Sequence, residues 1–175
     1  MRGSSTFLIV AAVVALLVGQ AAAHWDPGDP YKTENPPQLP DLSETGMDVD
    51  NFWSVLADDF MCAETGPILD VHIWGSWADD ILPGPGPVGD LNRNAGQVGF
   101  RLSLHTDLPV GHPENPYEYS IPGPEICQAY FDIGSVQWRL YKDEIREWWY
   151  DPATGNTYFP GDHECYQYNF VIDDP

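Results

Sequence analysis

The stretch "VGFRLSLHT", Val98–Thr106, decides the fold class. Val98, Phe100, Leu102 and Leu104 alternate with Gly99, Arg101, Ser103 and His105. Successive side chains of a strand point to opposite faces, so this period of two predicts a half-buried strand with one wet face. The same rhythm continues outward in both directions. Upstream, "ILDVHIWGSW" (68–77) sets Leu69, Val71, Ile73 and Trp77 on one face and Asp70, His72, Trp74 and Ser76 on the other. The glycine- and proline-rich run "PGPGPVGDLNRNAGQ" (83–97) between the two reads as a long loop.

Downstream, "HPENPYEYSIPGP" (112–124) is a second loop. "EICQAYF" and "VQWRLY" then read as strands broken at Asp132-Ile-Gly134. "EIREWWY" (144–150) fits either a helical turn or a strand. The turn "DPATGN" (151–156) favours a hairpin into "ECYQYNFVI" (164–172), where Tyr166, Tyr168, Phe170 and Ile172 alternate with Gln167, Asn169 and Val171. Short strands punctuated by Gly and Pro, with almost no helical period, predict an all-β antiparallel β-sandwich, jelly-roll-like in arrangement. The chain stops at "VIDDP", just after a strand. An unpaired edge is expected there, and with it a fragment of a longer protein.

The other end carries an address. Arg2, the apolar run Phe7–Val18 and the small-residue ending Ala21-Ala-Ala23 make a secretory signal peptide over residues 1–23. The apolar run, about twelve residues, falls short of the roughly 20 that span a bilayer as a helix. No second such run follows, so no membrane span is expected and His24 is the expected mature N-terminus. Residues 24–50 are proline-rich without apolar periodicity, which favours an extended lead. The β-sandwich domain is expected over 51–175.

The chain has 7 basic and 27 acidic residues, a formal charge of −20. That field repels nucleic acid and anionic membrane surfaces. It suits a solvated extracellular protein, or one that collects divalent cations. The aromatic fraction of 13% is far too high for a disordered chain. Cys62, Cys127 and Cys165 are odd in number, so at most one bridge closes within the chain. No C-x-x-C spacing is present, which argues against structural zinc.

The run "LADDFMCAETGPILDVHIWGSW" (56–77) resembles a bacterial secreted or surface domain family of unknown function. Its pattern is approximately A-D-D-F-x-C followed by G-P-[IV]-x-D-[IV]-H-x-W-G-S-W. "PQLPDLSETGMDV", "LSLHTDLP", "YSIPGPEI" and "DHECYQYNF" extend the similarity over most of the mature chain. The resemblance implies a β-sandwich, a surface location and no established catalysis. Similar domains continue past the equivalent of Phe170 with a further strand pair, which accords with a fragment. It also implies a disulfide between Cys62 and Cys165, since both lie in matching segments and Cys127 does not.

The chemistry-bearing residues divide into three sets. Asp58, Asp79 and Asp80 stand in acidic pairs at the ends of the 68–77 strand. Such pairs are ordinary turn residues, or ligands of calcium, which takes six to eight oxygens. The D-x-[DN]-x-[DN]-G calcium loop is absent. Glycosidase carboxylates must face each other across a cleft about 5–10 Å wide, and nothing in the spacing places these pairs so. The aromatics Trp74, Trp148 and Trp149, with His72, are candidates for a glycan platform, although aromatics fill cores first. The histidines set a third alternative. An N-terminal His24 could offer amine and ring to copper, while His72 and His105 fall on polar strand faces, where a cross-strand role is the simpler expectation. The sequence therefore favours a secreted, non-catalytic module for extracellular recognition or surface architecture, its partners an extracellular glycan or other surface proteins. A polysaccharide-active enzyme using a carboxylate pair or histidine metal site is the alternative.

Overall fold

The computed structural model describes residues 24–52 and 55–172. The expected signal peptide, residues 1–23, lies outside the described residues. The described residues form eight strands: β1 (Met47–Val49), β2 (Asp70–Ser76), β3 (Phe100–Leu108), β4 (Ile121–Phe131), β5 (Gln137–Lys142), β6 (Trp148–Asp151), β7 (Asn156–Tyr158) and β8 (Cys165–Val171). The only helical element among the described residues is a 3-10 turn at Ala78–Asp80. The protein is all-β, and its pairings are antiparallel except for β1 with β6.

The strands form three small sheets, ordered β2-β8-β5, β1-β6-β7 and β3-β4, where a jelly roll would stack two sheets of four. "EICQAYF" and "VQWRLY", adjacent in sequence, do not pair with each other: β4 pairs with β3 and β5 with β8. The "DPATGN" turn closes the short β6–β7 hairpin before the chain reaches β8. The final strand is not an edge. β8 lies between β2 and β5 and is buried from Cys165 to Phe170.

Alternation in β8 explains the layout. Tyr166, Tyr168 and Phe170 project to one side, where they meet Val71, Ile73 and Trp77 of the β2 segment and the inner face of the β3–β4 ribbon. Phe170 is fully buried, with Phe100 and Phe131 each 5.0 Å away between ring centroids, and Phe100 is also 5.0 Å from Tyr168. Such aromatic pairs add about 0.5–1.5 kcal/mol each beyond burial. Trp77 Nε1 donates to Tyr168 Oη at 2.9 Å, so the one polar atom of each ring in this layer is satisfied. Ala95, from the glycine- and proline-rich loop, seals the cluster.

The opposite side of β8 carries Gln167 and Asn169, both buried, and the proline-rich lead covers them. Trp25 packs edge-on against Trp74 at 6.0 Å. Its carbonyl accepts from Gln167 Nε2 at 2.7 Å and from Arg139 at 3.0 Å, and Arg139 also pairs with Asp26 at 2.5 Å. A second attachment lies further on. Lys32 Nζ donates to the carbonyls of Gly66 and Pro67, and Thr33 bridges Cys62. The lead is thus pinned at Trp25–Asp26 and at Lys32–Thr33, and a hollow lies beside it.

Candidate functional site: a groove beside buried carboxylates

That hollow is a groove of about 780 Å³ bounded by the lead (residues 30–41), the segment 58–62 and β2. Trp74 and His72 lie in its floor and Tyr31 in its wall. His72 and Trp74 share the face of β2 that alternation assigned to them. His72 Nδ1 donates to Asn169 Oδ1 at 2.7 Å, and Asn169 Nδ2 donates to His24 Nδ1 at 2.8 Å. One buried amide therefore orients both imidazoles. Two of the four aromatic-platform candidates are brought together here. Trp148 and Trp149 are not: Trp149 is buried in β6, and Trp148 sits tilted against Phe159 at 5.2 Å.

The expected calcium residues do not converge. Asp58 is exposed and accepts from the backbone of Asp59. Asp79 and Asp80 occupy the 3-10 turn with φ of 54° and 56°, the left-handed region that aspartate tolerates. Asp80 binds His163 through both carboxylate oxygens, at 2.7 Å to the backbone N–H and 2.8 Å to Nδ1. His105 bonds across the β3–β4 ribbon to the Gly123 carbonyl at 2.8 Å, the cross-strand role expected of it. All three cysteines are free thiols, so the bridge expected between Cys62 and Cys165 is not formed. Cys62 is exposed beside the lead, whereas Cys165 is buried at the start of β8.

A different acidic group adjoins the groove, with Asp48 and Glu147 in its lining. Asp48, Glu147 and Asp162 each bring a carboxylate oxygen to within 4.8 Å of the other two. Asp48 comes from β1, Glu147 from the residue before β6, and Asp162 from the connection between β7 and β8. The parallel β1–β6 register places Asp48 opposite Trp149, two residues past Glu147. Gly46 makes this approach possible, because its carbonyl accepts from Trp148 N and a Cβ there would stand 1.9 Å from the Asp41 carbonyl. Gly161 does the same for Asp162. Its N–H donates to the Glu147 carbonyl at 2.8 Å, and a Cβ would collide with Trp149 at 2.4 Å.

The electrostatics of this group are unfavourable. Asp162 is 0% exposed and Glu147 3%. No N–H or hydroxyl donor reaches either Asp162 oxygen, Glu147 Oε1 or Asp48 Oδ2, and the hydrogen bonding open to the three is from carboxyl to carboxyl, with Asp48 as the shared partner. No salt bridge among the described residues reaches any of the three. Burial, then the neighbouring Asp48, pushes the Glu147 carboxyl up to about 8. Burial and the same neighbour push Asp162 up to about 8 as well. Two like charges 4 Å apart repel by about 4 kcal/mol at an effective dielectric of 20. The same surroundings raise the Cys165 thiol to about 12, burial first and the Asp48 charge second. An arrangement of this kind can hold a proton between carboxyls or a cation among them.

These three residues are about a hundred positions apart at the extremes, and each looks ordinary where it stands, in "GMDV", "REWW" and "PGDHE". No local spacing signals their meeting. A pairing of β1 with β6 would have signalled it, and a parallel pair between two such short strands leaves no pattern to read.

No helix among the described residues is long and apolar enough to cross a membrane. No curated protein and no solved structure matches the chain. A family model described as a domain of unknown function (DUF7901) matches residues 31–175, from the wall of the groove through all three carboxylates. By that match the chain belongs to the DUF7901 family.

Proposed function

We propose that the protein is secreted and works outside the cell as a non-catalytic recognition module that takes a glycan chain in the groove beneath its lead. The observation that carries this is the groove itself. A trough of about 780 Å³ lies within the usual range of ligand sites. Trp74 and Tyr31 line it with aromatic rings suited to a sugar, and His72 and the flanking carboxylates carry polar atoms suited to its hydroxyls. The apolar leader Phe7–Val18 with its Ala21-Ala-Ala23 ending supports secretion, and the acidity of the chain accords with a neutral polymer rather than an anionic one. The alternative, polysaccharide cleavage, needs two carboxyls about 5–10 Å apart on either side of a sugar. Here three carboxylate oxygens crowd within 4.8 Å of one another beside the trough, which suits a shared proton or ion better than an acid facing a nucleophile.

A glycan-array screen of the mature protein, followed by calorimetry on any hit, tests the reading. Tyr31→Ala removes a half-exposed ring from the groove wall without opening the core, and should weaken binding about tenfold, one stacked ring's worth at 1–1.5 kcal/mol. Trp148→Ala, outside the groove, should leave it unchanged. Absence of any glycan ligand, or a hit indifferent to Tyr31→Ala, would reject the proposal.

A further inference from the structure

A cluster of acidic side chains is common on protein surfaces and by itself identifies nothing. The feature that separates this one is Asp162. Its side chain is wholly buried, neither of its oxygens meets an N–H or hydroxyl donor, and one of them closes a triangle with Asp48 and Glu147. Folding has taken this carboxylate out of water and aimed it at two others, and no arginine or lysine pairs with any of them among the described residues. Buried charges in proteins are paired or coordinate metals.

We propose that Asp48, Glu147 and Asp162 bind one calcium ion beside the groove. Ligand chemistry and dimension both select the ion. All three donors are carboxylate oxygens, with neither histidine nor cysteine in the group, which favours a hard cation over zinc or copper. Calcium takes oxygens at 2.3–2.6 Å, so ligands on one ion lie within about 4.6–5.2 Å of each other. The observed spread of up to 4.8 Å fits that sphere. Magnesium demands near-ideal octahedral geometry and gives up its waters reluctantly, so a cage of three protein carboxylates suits it less. Because Asp48 and Glu147 also line the groove, the ion's remaining positions would be filled from that side by water or by ligand hydroxyls.

The site moves the expected calcium function away from Asp58, Asp79 and Asp80, yet Asp80 still serves it. By holding the His163 backbone, Asp80 fixes the residue next to Asp162. The ion site does not depend on what the groove binds, so its test uses no glycan.

The mature protein, freed of metal with a chelator, is melted with calcium, with magnesium, and with sodium chloride at matched ionic strength. Calcium should raise the melting temperature by several degrees in a saturable way, and magnesium and sodium chloride much less. Asp162→Asn and Glu147→Gln should each abolish the calcium shift while remaining folded, because either change replaces a buried carboxyl with an uncharged amide of the same shape. Asp107→Asn, on exposed β3, should keep it. A second measurement reads the site directly. Terbium, a luminescent ion with calcium's ligand preferences, should be excited through Trp149, whose Cβ lies against Gly161 beside Asp162. Calcium should displace it, and Asp162→Asn should remove the signal. Equal shifts with all three salts, or terbium emission that survives Asp162→Asn, would overturn the proposal.

Discussion

Asp80 holds His163 by both of its oxygens, one on the backbone N–H and one on the ring. This contact links the 3-10 turn after β2 to the chain entering β8, and Asp79 N–H reinforces it by donating to the Gly161 carbonyl at 2.7 Å. The acidic pair in "WADD" is therefore a clamp on the loop that carries Asp162.

Replacing Asp80 should reveal that clamp. Asp80→Ala removes both acceptors and should cost about 1–3 kcal/mol, the price of leaving a donor unpaired and a charged hydrogen bond lost. Asp80→Asn keeps one acceptor oxygen for the backbone N–H and should cost less than half of that. Urea denaturation of the two variants measures the difference, and equal losses would show that the ring contact, not the backbone contact, matters.

The pH profile of the metal-free protein should be inverted relative to that of most acidic proteins. Glu147 and Asp162 have folded values near 8 against ordinary values of 4.5 and 3.8. The folded state therefore binds more protons than the unfolded state between about pH 4 and 8, and stability falls as pH rises through that window. Asp26, Asp41 and Asp151 act oppositely. Their carboxyls are held low, chiefly by hydrogen bonds from Arg139, Ser43 and Thr154 respectively, and their contribution is lost as pH drops below the ordinary carboxylate range. A melting-temperature maximum on the acid side, near pH 5, is expected in chelator. Glu147→Gln should flatten the alkaline limb.

The thiols should separate into two classes. Cys62 and Cys127 are exposed and should react with a disulfide reagent at pH 8 without denaturant. Cys165, buried and raised to about 12, has almost no thiolate at that pH and should react only on unfolding. Two fast thiols and one slow one are expected. A single reactive thiol in the native, air-oxidised protein would mean that Cys62 and Cys165 have joined after all.

Phe170→Ala should be among the most destabilising single changes in the β8 core. The ring is fully buried between Phe100 and Phe131, and its removal leaves a cavity worth about 3–5 kcal/mol. Val171→Ala, half-exposed one position later, should cost less than about 1 kcal/mol. Chemical denaturation of both checks that β8 is read in the correct register.

Alternation made much of this fold legible. The inward faces of β2, β3 and β8 are those assigned from period two, because each strand has one side in the aromatic core and therefore a strong pattern. Strand pairing was not legible. β4 and β5 are neighbours in sequence that do not pair, and β8 is central although it comes last. A strand's own residues record which side is buried but not which strand lies beside it. The groove residues Trp74 and His72 were found by the same alternation. The buried carboxylates were missed because the contact between β1 and β6 that assembles them is three residues long.

The position of β8 has a kinetic consequence. Its partner β2 lies far back along the chain, with His72 and Asn169 separated by 97 positions. Loop-closure entropy for so long a separation must be met before any of the β2–β8 hydrogen bonds forms, and chains dominated by such distant contacts fold over milliseconds to seconds. Until β8 arrives, β2 and β5 are two separate edges with their apolar faces uncovered. The interval before closure is therefore when this chain is most exposed to pairing with another copy of itself.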